Sequence, residues 1–276
     1  MPSPTGGEGT ITAATLPCYA ASGKEMSIKP DSPVATKYVA SPNHDARDHR
    51  IDMLLLHYTG MQTADEALER LKDRAAKVSC HYFVDEDGRV TQMVHEAQRA
   101  WHGGAGSWRG AVDINARSIG IEIVNPGHEF GYRDFPDTQI DAVIKLCRDI
   151  IKRRHIARER VLAHSDIAPA RKKDPGEKFP WAKLAAAGVG FWVDPAPITE
   201  GRTLSANDRG APVEDLQKQL IKFGYGLEVS RLYDDATRLV VTAFQRHFRP
   251  ERVDGLADPS TVETLRNLLK TLRAHH

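Results

Sequence analysis

The chain has 276 residues, room for about two domains, and its content of 41% hydrophobic and 27% charged residues is that of a globular protein rather than a disordered one. Thirty-eight basic against 37 acidic residues leave a net charge of +1, which excludes the electrostatic footprint of a nucleic-acid or anionic-membrane binder. No apolar run reaches the roughly 18 residues that a bilayer span needs, and three widely spaced cysteines, Cys18, Cys80 and Cys147, argue against a disulfide framework.

Residues 1–30 are rich in Pro, Gly, Ser, Thr and Ala without periodicity. They are expected to form an extended or disordered lead, with neither the basic start nor the apolar stretch of a secretory signal. IDMLLLHYTG, from Ile51 to Gly60, reads as a buried strand that ends in a loop. Thr63 and Glu66 then match a capping box, and Ala64, Leu68, Leu71 and Ala75 continue one helical face. SCHYFVDEDGRVTQMV reads as a hairpin turning at Asp87-Gly88, a pair that accepts positive φ. SIGIEIVNPG is a further strand. Pro136 to about Arg154 is the clearest helix, with Ile140, Val143, Ile144, Cys147, Ile150 and Ile151 as its apolar stripe. The cationic run Lys152, Arg153, Arg154 is expected to be a solvated helix end facing the negative pole. RERVLAHSDIAP reads as a last strand opening into a loop.

Strands and helices in this order predict an α/β domain over 31–187, a mixed central sheet flanked by helices. A Gly- and Pro-containing linker, 188–203, carries Trp192 and Pro195 and ties it to a small all-α domain over 204–276. There the stripes Val213, Leu216, Leu220, Phe223, then Val240, Phe244, Phe248, then Val262, Leu265, Leu269, Leu272 predict three helices.

Twelve histidines make a lone histidine uninformative, but two stand where a strand hands over to a loop: His57 and His164. Asp174 follows ten residues after His164 in the loop sequence RKKDPG. Two imidazoles, one carboxylate and a water make a catalytic zinc site; histidines with ordinary partners at strand ends are the other reading. Glu122, flanked by isoleucines, either faces a cleft as a general base or points outward to solvent. Lys172 could reach the same cleft as an oxyanion stabiliser, or be a solvated loop lysine.

The runs LLLHYTG, CHYFVDEDGRVTQMV, AWHGGAGSW, INARSIGIEIVNPG and LAHSDIAPARKKDPG stand in order from about His49 to Trp181. Together they resemble the amidase-2 family of zinc-dependent N-acetylmuramoyl-L-alanine amidases, and most closely its AmiD- and AmpD-like bacterial members. The resemblance implies one Zn2+ per chain held by His57, His164 and Asp174, with Glu122 as catalytic base and Lys172 as its auxiliary. His81 stands near the position where phage relatives have an active-site tyrosine, and Asp174 where they have a cysteine ligand. Trp101, His102 and Trp108 are expected to form a loop over the substrate, stacking on sugar or peptide faces, unless one tryptophan is core. Asn115 is implied as a substrate contact by the resemblance alone.

The tail, with GAPVEDLQKQLIKFGYG, LYDDATRLVVTAFQRHF and VDGLADPSTVETLRNLL, resembles the helical peptidoglycan-binding domain of wall hydrolases, although Arg231-Leu232 replace its usual glycine. The implied activity is hydrolysis of the amide between N-acetylmuramic acid, ordinary or 1,6-anhydro, and the L-alanine of the stem peptide. The competing readings are a non-catalytic peptidoglycan receptor and a two-carboxylate glycosidase, for which no partner to Glu122 stands out. A wall-binding tail favours the cell envelope or periplasm, with the cytoplasm as the alternative because no signal is evident.

Overall fold

The computed structural model describes residues 29–274. The expected N-terminal lead, apart from its last two residues, lies outside them, as does Cys18; Cys80 and Cys147 are buried free thiols. Among the described residues the strands are β1 (Lys37–Tyr38), β2 (His44–Ala46), β3 (Met53–Tyr58), β4 (Tyr82–Val84), β5 (Val90–Gln92), β6 (Gln98–Ala100), β7 (Ser118–Ile123) and β8 (Val161–Ala163). Six make one mixed sheet in the order β1-β5-β4-β7-β3-β8, with β2 and β6 paired apart as an antiparallel ribbon. Strands β4, β7, β3 and β8 run parallel, and β5 turns back on β4. The hairpin between β4 and β5 turns through Gly88 at φ +83°. The apolar run Met53 to Leu56 in β3 follows from its central place, where both faces are covered.

The helices are α1 (Ala64–Lys72), α2 (Ile114–Arg117), α3 (Asp137–Arg154), α4 (His164–Ile167), α5 (Trp181–Ala186), α6 (Ala211–Phe223), α7 (Asp235–Phe248) and α8 (Pro259–Ala274). None is long and apolar enough to cross a membrane. The Thr63 hydroxyl caps α1 by accepting from the Glu66 amide at 3.1 Å. The basic end of α3 differs from expectation: Arg153 and Arg154 reach back to the fully buried Glu96, with N···O distances of 2.7 and 2.8 Å from Arg153 and 2.7 Å from Arg154 Nε. An acid in the interior outweighs solvation there. After β8 the chain enters the single turn α4 instead of a loop.

Alternation along β3 divides two cores. Leu54 and Leu56, with Ile119, Ile121 and Val161, pack with Ile140, Val143, Leu146, Cys147 and Ile150 of α3. Met53 and Leu55, with Leu162, Ile114 and Ile167, share a core with the apolar stripes of α6, α7 and α8. The α/β sheet with an added three-helix unit is therefore as the patterning predicts, and the helical unit covers part of one face of that sheet. Its docking loop is Gly224-Tyr225-Gly226: Arg109 N donates to Gly224 O at 2.8 Å, and a Cβ on Gly224 would lie 2.5 Å from the Trp108 ring. Trp192 stacks on Phe248 with ring centroids 6.3 Å apart, and Ser260 Oγ donates to Ala196 O, so the intervening segment is pinned to α7 and α8.

A candidate metal centre and active site

Register builds the site. In the parallel pair β3 and β7, His57 stands opposite Glu122. In the pair β3 and β8, Leu56 stands opposite Ala163, so His164, the first residue of α4, emerges beside the end of β3. The loop bearing Asp174 is tied to the same turn, since Ser165 N donates to Asp174 O at 3.0 Å. All three side chains come from the carboxyl ends of sheet strands or the loops after them, where open α/β sheets form their binding crevices.

His57 Nδ1 lies 2.8 Å from His164 Nδ1, and each is 3.0 Å from Asp174 Oδ2. Among the described residues this is the group of His, Cys, Asp and Glu side chains able to hold a metal ion. The donor set fits a divalent cation. His164 Nε2 donates to Gly103 O at 2.9 Å, so its Nδ1 turns a lone pair toward the other two donors. Burial and the neighbouring His164 hold the His57 pKa at about 4, which leaves that imidazole neutral and free to coordinate. Burial pushes the Asp174 carboxyl up, but the two histidine side chains against it outweigh that and hold it below the usual range. Tetrahedral donors around zinc would lie about 3.3 Å apart, close to the spacing here.

Glu122 reaches the same cleft, of about 340 Å³. Its Oε2 is closed off from solvent without a hydrogen-bond partner. Burial and then the Asp174 charge push its pKa well up, against the pull of Lys172. Lys172 and Trp101 line the cleft, both half-buried.

The other residues singled out from sequence are placed elsewhere. His102 borders the cleft but is 9% exposed and lies against His57, with Nδ1 3.1 Å from His57 Nε2. Asn115 is buried behind it and uses Oδ1 to accept from the amides of His102 and Gly103 at 3.3 and 2.7 Å. It fixes the carbonyl that orients His164 instead of facing the cleft. His81 is fully buried a layer deeper, where Nδ1 accepts from Gly120 N at 3.0 Å. Trp108 is the clear correction: it is 0% exposed and wedged edge-on against Phe223 and Tyr225, so core packing takes it and it covers no substrate.

Sequence reasoning missed three groups. Ser118 lies 3.3 Å from His102 Nε2. At the rim, Tyr58 OH lies 3.0 Å from His128 Nδ1, and His128 Nε2 lies 3.2 Å from Glu177. In the turn of His164, the buried Asp166 accepts from Ala163 N at 2.8 Å and from Tyr225 OH at 2.7 Å, and lies 2.7 Å from His247 Nδ1. The strand glycine at 120 was the available signal for the first, since a glycine inside a strand marks close approach. Nothing local announces the other two, because their partners are remote in sequence.

Comparison with known proteins agrees with this geometry. Residues 47–177 match the family described as N-acetylmuramoyl-L-alanine amidase, and residues 209–265 match the family described as putative peptidoglycan binding domain. The chain is 38% identical over 233 residues to the N-acetylmuramoyl-L-alanine amidase AmiD of Escherichia coli K12, covering 80% of this chain and 83% of that protein. The solved complex of E. coli AmiD with the substrate anhydro-N-acetylmuramic acid-L-Ala-D-gamma-Glu-L-Lys superposes with a TM-score of 0.69 at 37% identity, over 82% of this chain and 92% of the other. AmpDh3 of Pseudomonas aeruginosa superposes with a TM-score of 0.67 at 28% identity, over 84% and 95%.

Proposed function

This chain belongs to the family of N-acetylmuramoyl-L-alanine amidases, and from that premise we propose that it hydrolyses the amide between the lactyl group of N-acetylmuramic acid and the L-alanine of a peptidoglycan stem peptide. The observation that carries the reading is the buried convergence of His57 Nδ1, His164 Nδ1 and Asp174 Oδ2 next to an unpartnered Glu122. These three residues would hold one zinc ion. Zinc bound there supplies a Lewis acid that polarises the scissile carbonyl and acidifies water. Glu122 takes the proton of the attacking water and returns it to the departing amine of L-alanine, a task suited to a carboxylate whose pKa burial has raised. The Lys172 ammonium stabilises the charge that develops on the carbonyl oxygen. Trp101 offers a ring face to the sugar or peptide at the cleft wall.

The substrate class is a muropeptide, ordinary or 1,6-anhydro, met in the envelope, with residues 209–265 holding the wall polymer. The experiment is mass spectrometry of purified sacculi digested by the protein with a zinc chelator, without it, and with zinc restored. Free stem peptides that vanish with chelator and return with zinc are the expected result. Cut glycan chains would identify a glycosidase, and co-sedimentation with sacculi but no product would identify a receptor; either overturns the reading.

A further inference from the structure

Tyr58 ends β3 and lines the cleft beside Pro126 and His128. Its ring lies against Gly127, at φ +69°, where a Cβ would come within 2.6 Å. From its hydroxyl a line of polar groups runs out of the cleft. Tyr58 OH is 3.0 Å from His128 Nδ1, and His128 Nε2 is 3.3 and 3.2 Å from the two oxygens of Glu177. The His128 ring stacks on Tyr132 with centroids 4.4 Å apart, and Tyr132 OH donates to Pro175 O at 2.7 Å. The segment after β7 and the loop after Asp174 thus close on each other at this rim. The last group comes from the helical unit: Arg246 of α7, with Nε 3.8 Å from Glu177 Oε2.

The direction of these bonds follows from the groups themselves. A carboxylate only accepts, so His128 donates Nε2–H to Glu177, and Nδ1 of the neutral ring accepts the Tyr58 hydroxyl proton. The place of Arg246 needs a reason of its own. Its side chain is 15% exposed, and its Nε is closed off from solvent without a hydrogen-bond partner. Burial lowers its pKa, and Glu177, Tyr58 and Tyr132 oppose that. A partly buried pair 3.8 Å apart, with no hydrogen bond at Nε, is poor adhesive between two units, because desolvation cancels most of its attraction. Tyr225 and His247 already hold the helical unit to the turn of His164. What Arg246 does reach is the carboxylate that orients His128.

We propose that Arg246 is a positioning residue, supplied by the helical unit, that fixes Glu177 and through it the His128–Tyr58 wall of the cleft. The two units then make the substrate surface together. The inference takes its substrate from the amidase reading, and Arg246 touches no reacting atom. A wall set before the muropeptide arrives spares the cost of ordering it on binding. Losing it penalises bound substrate and transition state alike, so KM rises by about threefold to tenfold while kcat stays the same.

The test uses the full zinc-loaded chain and a short soluble substrate, anhydro-N-acetylmuramic acid-L-Ala-D-gamma-Glu-L-Lys. Arg246→Met should raise KM by that factor and leave kcat alone. Its unfolding midpoint should stay near that of the wild type, because Glu177, 30% exposed, regains water when the cation goes. Arg246→Lys keeps the charge and should recover part of the loss. Glu177→Gln should raise KM as well, and the double variant should be no worse than the worse single one, since the two act in series. A second readout needs no turnover: NMR of labelled tyrosine should show a slowly exchanging Tyr58 hydroxyl proton in the wild type and its loss in Arg246→Met. A folded Arg246→Met with unchanged KM and a protected Tyr58 proton would overturn the proposal. So would a KM that holds while the midpoint falls, which would leave Arg246 a docking contact alone. A wild type that leaves the muropeptide intact overturns the amidase reading, and the Tyr58 proton then decides this one: its loss in Arg246→Met supports the proposal and its persistence refutes it.

Discussion

At the scale of single residues, a carboxylate oxygen closed off in a cleft without a hydrogen-bond partner is costly unless chemistry uses it, and Glu122 Oε2 is such an atom. Glu122→Gln keeps the shape of the site and removes the base. Zinc binding should stay at the wild-type level while kcat on a soluble muropeptide falls by about 10²–10⁴; a variant that turns over at the wild-type rate would overturn the assignment. Glu96 shows the opposite use of a buried acid. Burial pushes its pKa up, but hydrogen bonds from Arg153 and Tyr82 and the charge of Arg153 outweigh that and bring it to about 2. A depressed carboxylate contributes stability that is full above its ordinary pKa near 4.5 and is lost as the pH falls through the folded value. Moving between those two values corresponds to roughly 3 kcal/mol. Urea unfolding of wild type and Glu96→Gln should therefore differ in pH dependence between about pH 4.5 and 2 and run parallel above that window. His57 and His164 were legible as candidate ligands because they end apolar runs, whereas Asp174, in a loop, joined them chiefly through the family resemblance. Asn115 and His102 were legible as special residues but not as interior ones, since only the fold shows which way a loop residue turns.

Among the elements, β3 could be read from its apolar run and β7 from its alternation up to Pro-Gly. The turn α4 could not, since its four residues HSDI carry no helical period and are held by contacts made from afar. The Gly224-Tyr225-Gly226 loop was visible only as a motif; its purpose is to admit Trp108, which is remote in sequence and reads locally as an exposed aromatic. Trp108→Ala should cost about 3–5 kcal/mol, the usual range for a buried tryptophan, and leave zinc affinity unchanged. Gly224→Ala, at φ +154° with its Cβ directed into the indole, should cost about 1–3 kcal/mol. Equilibrium unfolding of each variant checks both, and a wild-type midpoint in Trp108→Ala would show that the wedge contributes nothing.

Across the whole molecule, the three-helix unit completes the coat of the sheet over Met53, Leu55 and Leu162. A chain ending at residue 203 should uncover that surface, bind an apolar dye and melt below the full chain. An equal midpoint and no dye binding would contradict the shared core.

Asp166 has a consequence at this scale. If the two units were joined by the linker alone, holding the wall would raise the local supply of bonds by an amount set by the reach of that linker. Instead Tyr225 and His247 are fastened to the turn that carries His164. Such a fastening would make the protein a jig: a strand gripped by the helical unit would be offered to the cleft at a set offset and direction, and cuts would fall in step with the points of attachment. Inserting a few glycines into residues 188–203 should leave the pattern of released fragments unchanged, whereas Tyr225→Phe with His247→Leu should blur it.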